Sequence, residues 1–145
     1  MNDRLPDPEL DAQFYEGVIF KRLIAWLIDV VVVLAACVAL LVVSLGVLAI
    51  VITFLGFAVN LAYRIWGLTV WSATIGMRVT GIELRNRDGE RFTQGDAALH
   101  TGIYVLVAVS GLGLLAHIAA MLLTARGQGL PDLLLGTVAI NRPAD

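Results

Sequence analysis

The first half of the chain is dominated by an almost unbroken apolar run over residues 23–63. Four polar side chains interrupt it: Asp29, Ser44, Thr53 and Asn60. The run holds about 41 residues, which as α-helix would be about 60 Å long. The hydrocarbon core of a bilayer is about 30 Å thick, and about 20 helical residues cross it. The run therefore predicts two consecutive transmembrane helices, over residues 23–44 and 47–66, joined by a turn near Gly46.

The composition also favours a bilayer environment. Hydrophobic residues make up 59% of the 145-residue chain and charged residues 15%, whereas soluble domains average about 45–50% and about 25%. A soluble fold of this size could not bury so much apolar surface, so lipid must cover part of it. The net charge of −2 gives no reason to expect a nucleic-acid partner. Cys37 is the single cysteine, so an intrachain disulfide is impossible and no metal cluster is expected.

A third apolar segment covers residues 103–123 and is long enough for one more crossing. Its centre contains Gly111 and Gly113, which weaken a helix. Two alternatives stay open at this stage. A straight span would leave the C-terminus outside, whereas a re-entrant hairpin bent at the glycines would return it to the cytoplasm. Re-entrant backbone is tolerated only where protein buries it or water reaches it.

The distribution of basic residues predicts the orientation. Lys21 and Arg22 precede the first predicted span. Five arginines follow the second: Arg64, Arg78, Arg85, Arg87 and Arg91. The positive-inside rule then places the N-terminus and the loop over residues 67–100 in the cytoplasm. Residues 1–20 are acidic and contain prolines, and they are interpreted as a mobile or surface-lying cytoplasmic tail that precedes a membrane domain over residues 21–141.

The cytoplasmic loop contains the pattern of a β-hairpin over residues 77–93. The turn falls at residues 86–89, which read Asn-Arg-Asp-Gly, and the predicted return strand covers residues 90–93. Another strand candidate covers residues 136–141 in the tail. Because an isolated two-stranded hairpin is only marginally stable, the tail strand would stabilise it if the tail is cytoplasmic. Residues 93–96 then resemble a capped helix start.

Asp29 is the most informative polar residue because it lies within the first predicted span. A charged aspartate near the middle of a membrane costs about 2.5–3.5 kcal/mol. Arg22 lies on the same helical stripe, but about 10 Å away along the axis. An antiparallel register places Asp29 opposite Asn60, Tyr63 and Arg64, so Arg64 is the predicted charge partner. Asp29 is half of an ion pair that locks a helical hairpin, a carboxylate that binds a proton or cation, or a side chain that snorkels towards local water.

Two more ionisable residues are candidates for the site. Asp132 lies in the segment over residues 126–137, where its position next to Pro131 predicts a cap on a short helix at the membrane surface. His117 is expected to hydrogen-bond a neighbouring helix rather than to relay protons. The predicted ion- or proton-binding residues are Asp29, Asp132 and Arg22. Their possible charge or polar partners are Arg64, Asn60 and His117.

Three segments together resemble the RDD family of membrane proteins. Residues 21–29 (KRLIAWLID) are similar to the first-helix signature of that family. Residues 74–82 (TIGMRVTGI) are similar to the loop after its second helix, and residues 130–138 (LPDLLLGTV) to its C-terminal motif. The resemblance covers about residues 20–141. One departure is Pro131, which stands where the family often has histidine, so any role of that histidine is absent here.

The resemblance implies that Arg22, Asp29 and Asp132 form the defining polar set. It also implies cation/proton antiport, a role proposed for some members of the family. Two functions therefore remain open. The first is cation or proton transport by the intramembrane carboxylates. The second is a non-transport accessory or assembly role in which buried charges fix the packing of helices.

We therefore predict an all-α integral membrane protein with about three transmembrane segments and a small cytoplasmic β-hairpin between the second and the third. The chain lacks metal-ligand spacing, a nucleophile elbow and a phosphate loop, so neither an enzyme nor a cofactor is expected. The expected partners are the lipid bilayer and either further copies of this chain or another membrane protein. The expected location is the inner (plasma) membrane, with several spans and a cytoplasmic N-terminus.

Overall fold

A computed structural model describes residues 5–43 and 49–143. Six α-helices and two short strands follow a 3₁₀ turn at Ala12–Phe14. In chain order they are α1 Val18–Val43, α2 Ala49–Trp71, α3 Ile75–Thr80, β1 Ile82–Arg85, α4 Gln94–Val109, α5 Leu112–Leu123, α6 Leu130–Leu135 and β2 Val138–Asn141.

The long apolar run forms the helices α1 and α2, which pack against each other. At 1.5 Å per residue they are about 39 Å and about 35 Å long. α1 begins five residues earlier than predicted, directly after Gly17, whose φ of 69° ends the preceding turn. α2 continues to Trp71 instead of ending at residue 66. The predicted turn near Gly46 lies outside the described residues.

The third apolar segment is not one straight helix. α4 and α5 meet at an angle of 117°, with the break at Ser110 and Gly111. Gly111 has a φ of 60°, and the Ser110 hydroxyl donates to Val107 O at 2.8 Å and accepts from Gly113 N at 2.9 Å. These bonds take the place of backbone hydrogen bonds that a continuous helix would form at this point. The chain therefore bends sharply at the glycines, and a straight helix over this segment is wrong.

The predicted hairpin over residues 77–93 differs from the observed structure. The Thr74 side chain caps α3, and Gly81, with a φ of 72°, ends it, so the first part of the segment is helical. The Asn86 turn is present, but residues 90–93 form no strand. β1 instead pairs antiparallel with β2, with Ile82 opposite Asn141. β2 offers buried apolar side chains to this pairing, whereas residues 90–93 are mostly polar.

The sheet and the N-terminal segment form a small folded unit beside the helices. Leu5 packs in one cluster with Val138 and Ile140 of β2, and Tyr15 packs against that cluster. The Asn141 side chain donates to backbone carbonyls of the N-terminal segment at 2.9 and 3.1 Å. The described part of the predicted tail is therefore packed against the end of the chain.

Large apolar side chains remain exposed along the outer faces of the helices, including Val43 (82% exposed), Phe54 (78%) and Leu123 (85%). Among the described residues, one helical segment, Ala12–Val43, has by itself the length and apolar content needed to cross a bilayer, with a mean hydropathy of 2.9 over its most apolar 18 residues. α4 and α5 reach that standard only together, as a bent pair. Exposed apolar surface on this scale indicates contact with lipid.

We predict that Gly76→Ala destabilises the fold, because α3 lies directly on α1 at this position. A Cβ at Gly76 would lie 2.2 Å from Ala25 O and 2.7 Å from Asp29 Oδ1. Overpacking of this kind costs about 1–3 kcal/mol. Thermal unfolding in detergent measures the loss. Gly102→Ala is the matched control, since no atom lies within 4 Å of its Cβ position, and an equal effect of the two substitutions would contradict the prediction.

Candidate functional site

The signature residues lie in two separate polar centres. The Asp132 centre comprises Arg22, His100, Asp132 and Thr137 together with the backbone N–H of Gly129. The Asp29 centre comprises Asp29, Tyr63 and Thr74 together with the backbone N–H of Gly76. Each centre holds one of the two aspartates, and the arginine belongs to the first.

The carboxylate of Asp132 is completely buried, and four groups bind it. Arg22 Nη1 lies 2.7 Å from Oδ2, and Gly129 N donates to Oδ2 at 3.0 Å. Thr137 Oγ1 donates to Oδ1 at 2.9 Å, and His100 Nε2 lies 2.9 Å from the same oxygen. Because an ionised carboxylate only accepts hydrogen bonds, Nε2 of His100 must carry the proton. The centre thus connects α1, α4 and the start of α6.

The electrostatics of this centre favour a permanently ionised Asp132. Burial opposes ionisation, but the Arg22 guanidinium, the His100 hydrogen bond and the Gly129 N–H together hold the pKa of Asp132 well below its usual range. Asp132 also lies in the first turn of α6, where a negative charge is stabilised by the helix dipole. The predicted capping role is therefore present, combined with an ion pair to α1.

Arg22 and His117 both bind the connection between α5 and α6. Arg22 Nη1 also lies 3.3 Å from the carbonyl oxygen of Gly127. His117 Nδ1 accepts from the backbone N–H of Leu130 at 3.1 Å, so this nitrogen carries no proton. A side chain at Gly129 would collide with the His117 ring, since its Cβ would lie 2.1 Å from Cε1. His117 thus bonds a neighbouring helix, as expected for a histidine with a structural role.

The carboxylate of Asp29 accepts three hydrogen bonds, all from neutral donors. The Tyr63 hydroxyl donates to Oδ1 at 2.6 Å, Gly76 N donates to Oδ1 at 2.9 Å and Thr74 Oγ1 donates to Oδ2 at 2.6 Å. Thr74 at the same time accepts from Met77 N at 3.2 Å, as the N-cap of α3. Asp29 therefore connects α1 to α2 and to the beginning of α3.

The predicted ion pair between Asp29 and Arg64 is wrong. Among residues 5–43 and 49–143, no basic side chain lies within 4.0 Å of the Asp29 carboxylate. The predicted position of Asp29 along the second helix is correct, since Tyr63 contacts Asp29. Arg64 follows one residue later, which is about 100° around the helix, and its guanidinium lies 4.1 Å from the ring centroid of Tyr104 on α4. Asn60 makes no hydrogen bond to Asp29 in the described structure.

A cavity of about 650 Å³ lies between the helices and touches both centres. Its polar lining consists of Tyr15, Arg22, Asp29, Arg64, His100, Tyr104 and His117. Apolar side chains of α1 and α5, such as Leu23 and Met121, form most of the remaining wall. In the part of the chain that the structure describes, no group of three or more His, Cys, Asp or Glu side chains is arranged to hold a metal ion.

Several members of the two polar centres were not predicted from the sequence. His100 carried no signal, because a histidine near the start of a helix is common at a membrane interface. Thr74 and Gly76 belonged to a recognised segment, but nothing in it indicated that they would bind Asp29. Thr137 was assigned to a strand and lies instead just before it, beside Asp132.

We predict that Asp132→Asn lowers the free energy of unfolding by about 3–5 kcal/mol, because it leaves buried Arg22 without a counter-ion. The depressed pKa of Asp132 stabilises the fold above the pKa of the unfolded aspartate, and this contribution is lost as the pH falls below about 4. Thermal unfolding in detergent across this pH range checks both effects. The stability of the variant should not show this loss at low pH. Identical dependence of unfolding temperature on pH for the two proteins would contradict an ionised, paired Asp132.

A known protein family matches most of the chain. The model of the RDD family, a family of membrane proteins, matches residues 17–136. No curated protein and no solved structure matches the chain significantly. The matched range contains Arg22 and both aspartates, and with them all but one member of the two polar centres. The chain therefore belongs to the RDD family.

Proposed function

We propose that this RDD protein is a small multi-pass carrier of the inner membrane that exchanges a cation for a proton at Asp29. The observation that carries the proposal is the charge environment of this carboxylate. Asp29 is buried on α1 at the wall of the cavity, and none of the described basic residues pairs with it. A carboxylate in such a place requires a proton or a cation as its compensating charge.

Asp132 is unsuited to this role. Arg22 neutralises it, and three further donors occupy its oxygens. A cation at Asp132 would have to displace the guanidinium and leave it buried and unpaired, at a cost of several kcal/mol. We assign the Asp132 centre to the scaffold that holds α1 against α6, and the exchange to Asp29 alone.

The neutral ligands of Asp29 are compatible with a change of protonation state. A hydroxyl group both donates and accepts hydrogen bonds, so Tyr63 and Thr74 can reorient when a proton or a cation binds to the carboxylate. Gly76 N is a fixed donor to the same carboxylate. The compensating ion reaches the carboxylate from the cavity, which Asp29 lines.

We also propose a topology in which the N-terminal segment, the loop after α2 and the C-terminal strand are all cytoplasmic. The pairing of β1 with β2 and the contacts of Asn141 with the N-terminal segment require one common side. α4 and α5 are about 24 Å and about 18 Å long, and neither reaches across about 30 Å of hydrocarbon. In this topology α1 and α2 cross the bilayer, and α4 and α5 form a re-entrant hairpin.

The accessory role remains the second candidate, and the complete hydrogen bonding of Asp29 favours it. Three donors from α2 and the segment that begins α3 hold this carboxylate in place. In a purely structural role Asp29 stays ionised at all working pH values. In a carrier it changes state within the working range.

The topology predicts that Asp88→Cys and Arg142→Cys are labelled from the same side of the membrane. Both side chains are exposed, one in the loop after β1 and one just after β2. A membrane-impermeant maleimide applied to right-side-out and inside-out vesicles, in a Cys37→Ser background, reports the side. Val43→Cys, at the far end of α1, is the control for the opposite side. Labelling of the first two positions from opposite sides would rule out the re-entrant hairpin.

We predict that Asp29→Asn abolishes cation-driven proton movement while the protein stays folded. The amide keeps the size of the side chain but binds neither a proton nor a cation at neutral pH. The measurement is the internal pH of liposomes that contain purified protein, followed with a pH-sensitive dye after the addition of Na⁺ or K⁺.

Glu90→Gln is the matched control, because it removes one acidic charge from an exposed loop position. It should transport like the wild type. Wild-type flux by Asp29→Asn would exclude exchange at this carboxylate. Absence of flux in a folded wild-type sample, for Na⁺ and for K⁺, would favour the accessory role.

A further inference from the structure

The cavity also contains an arginine and apolar walls that have no part in the proposed cation exchange. Besides Arg22, which is paired with Asp132, the guanidinium of Arg64 faces a space whose walls are largely apolar. The apolar walls come from α1 and α5, including Leu23, Trp26, Ile118 and Met121. Both helices also carry exposed apolar side chains on their outer faces, which indicates that the cavity lies at the level of lipid.

Arg64 is buried but incompletely bound. Arg64 is 6% exposed, and its Nε has no hydrogen-bond partner among residues 5–43 and 49–143. The face of the guanidinium lies against the ring of Tyr104, which leaves the N–H groups at its edge free for other contacts. A buried guanidinium without an acceptor is costly, and its planar fork matches an oxyanion.

Among the charged groups that the structure describes around the cavity, Arg64 is the cation without a carboxylate partner. Arg22 is neutralised by Asp132 at 2.7 Å, and His117 Nδ1 accepts a backbone hydrogen bond. Asp29 lies beyond ion-pair distance of every described basic residue, Arg64 included. An anion at Arg64 would therefore be the first acceptor for its free N–H groups and would displace no ion pair.

We infer that the cavity binds an anionic amphiphile, with its oxyanion headgroup on Arg64 and its acyl chain along the walls of α1 and α5. The volume of about 650 Å³ lies within the range of about 300–1,000 Å³ typical of small-molecule sites. A single hydrophilic anion would satisfy Arg64 but leave the apolar walls uncovered. The headgroup is a carboxylate, as in a fatty acid, or a phosphate, as in a phospholipid, since a guanidinium binds both in the same way.

The experiment is a fluorescence titration of the full-length protein in neutral detergent with cis-parinaric acid, a fluorescent fatty acid. Trp26 in the cavity wall is an energy donor to the bound probe. The methyl ester of the probe tests the headgroup. Phosphatidic acid and inorganic phosphate, added as competitors, distinguish a lipid phosphate from a free one.

The expected results follow from a charge-assisted hydrogen bond in a buried site. Arg64→Gln should weaken binding of the acid at least about tenfold, and the wild type should bind the ester about as weakly. Arg64→Lys should restore part of the affinity. Arg142→Gln, which removes an exposed arginine outside the cavity, is the matched control and should bind like the wild type. Met121→Trp should weaken binding by filling the space for the chain, with Arg64 intact.

Equal affinity of wild type and folded Arg64→Gln would overturn the inference, and so would equal affinity for the acid and its ester. Displacement of the probe by inorganic phosphate as effectively as by phosphatidic acid would overturn the part assigned to the acyl chain. Asp29→Asn should not weaken binding, since it removes a negative charge from the cavity. The amphiphile site and cation exchange can therefore fail independently of each other.

Discussion

The ion pair between Arg22 and Asp132 is the contact on which the rest of the structure depends. It joins the beginning of the first helix to a short helix near the end of the chain, at 2.7 Å. The same carboxylate binds His100 on α4, so one buried charge connects three parts of the fold. Such a pair adds little net stability compared with apolar packing, but removal of either partner is strongly destabilising. We propose that the pair specifies which helices meet. Arg22 also lines the cavity between them.

Asp29 has the same side chain but a different environment, and this difference is the basis on which we propose different roles for the two aspartates. Its three ligands are neutral, whereas Asp132 has a guanidinium. The guanidinium keeps the Asp132 carboxylate ionised, whereas we propose that a proton or a cation from the cavity binds to Asp29. The hydrogen bonds from α2 and the start of α3 would carry the effect of that binding to the neighbouring helices.

The helices predicted from local pattern agree with the structure, whereas the hairpin predicted over residues 77–93 and the ion pair of Asp29 with Arg64 do not. The apolar run forms α1 and α2, and the helical register brings Tyr63 to Asp29. Arg64 fails as a partner because one residue turns the side chain about 100° away. The pairing of β1 with β2 and the bond from Arg22 to Asp132 join residues more than 50 positions apart, and no local signal specifies such contacts. The glycines in the third apolar segment left two alternatives, and the bend of 117° excludes a straight helix there.

The central claim is that Asp29, and not Asp132, changes its protonation state in the folded protein. Infrared difference spectra of the wild type in lipid, recorded across the working pH range with and without Na⁺ or K⁺, test it directly. We predict a protonated carboxyl band that disappears as the pH rises or as a transported cation is added, and that is missing from Asp29→Asn. A folded wild type without such a band at any working pH would show that Asp29 is permanently ionised, and the carrier mechanism would then be wrong.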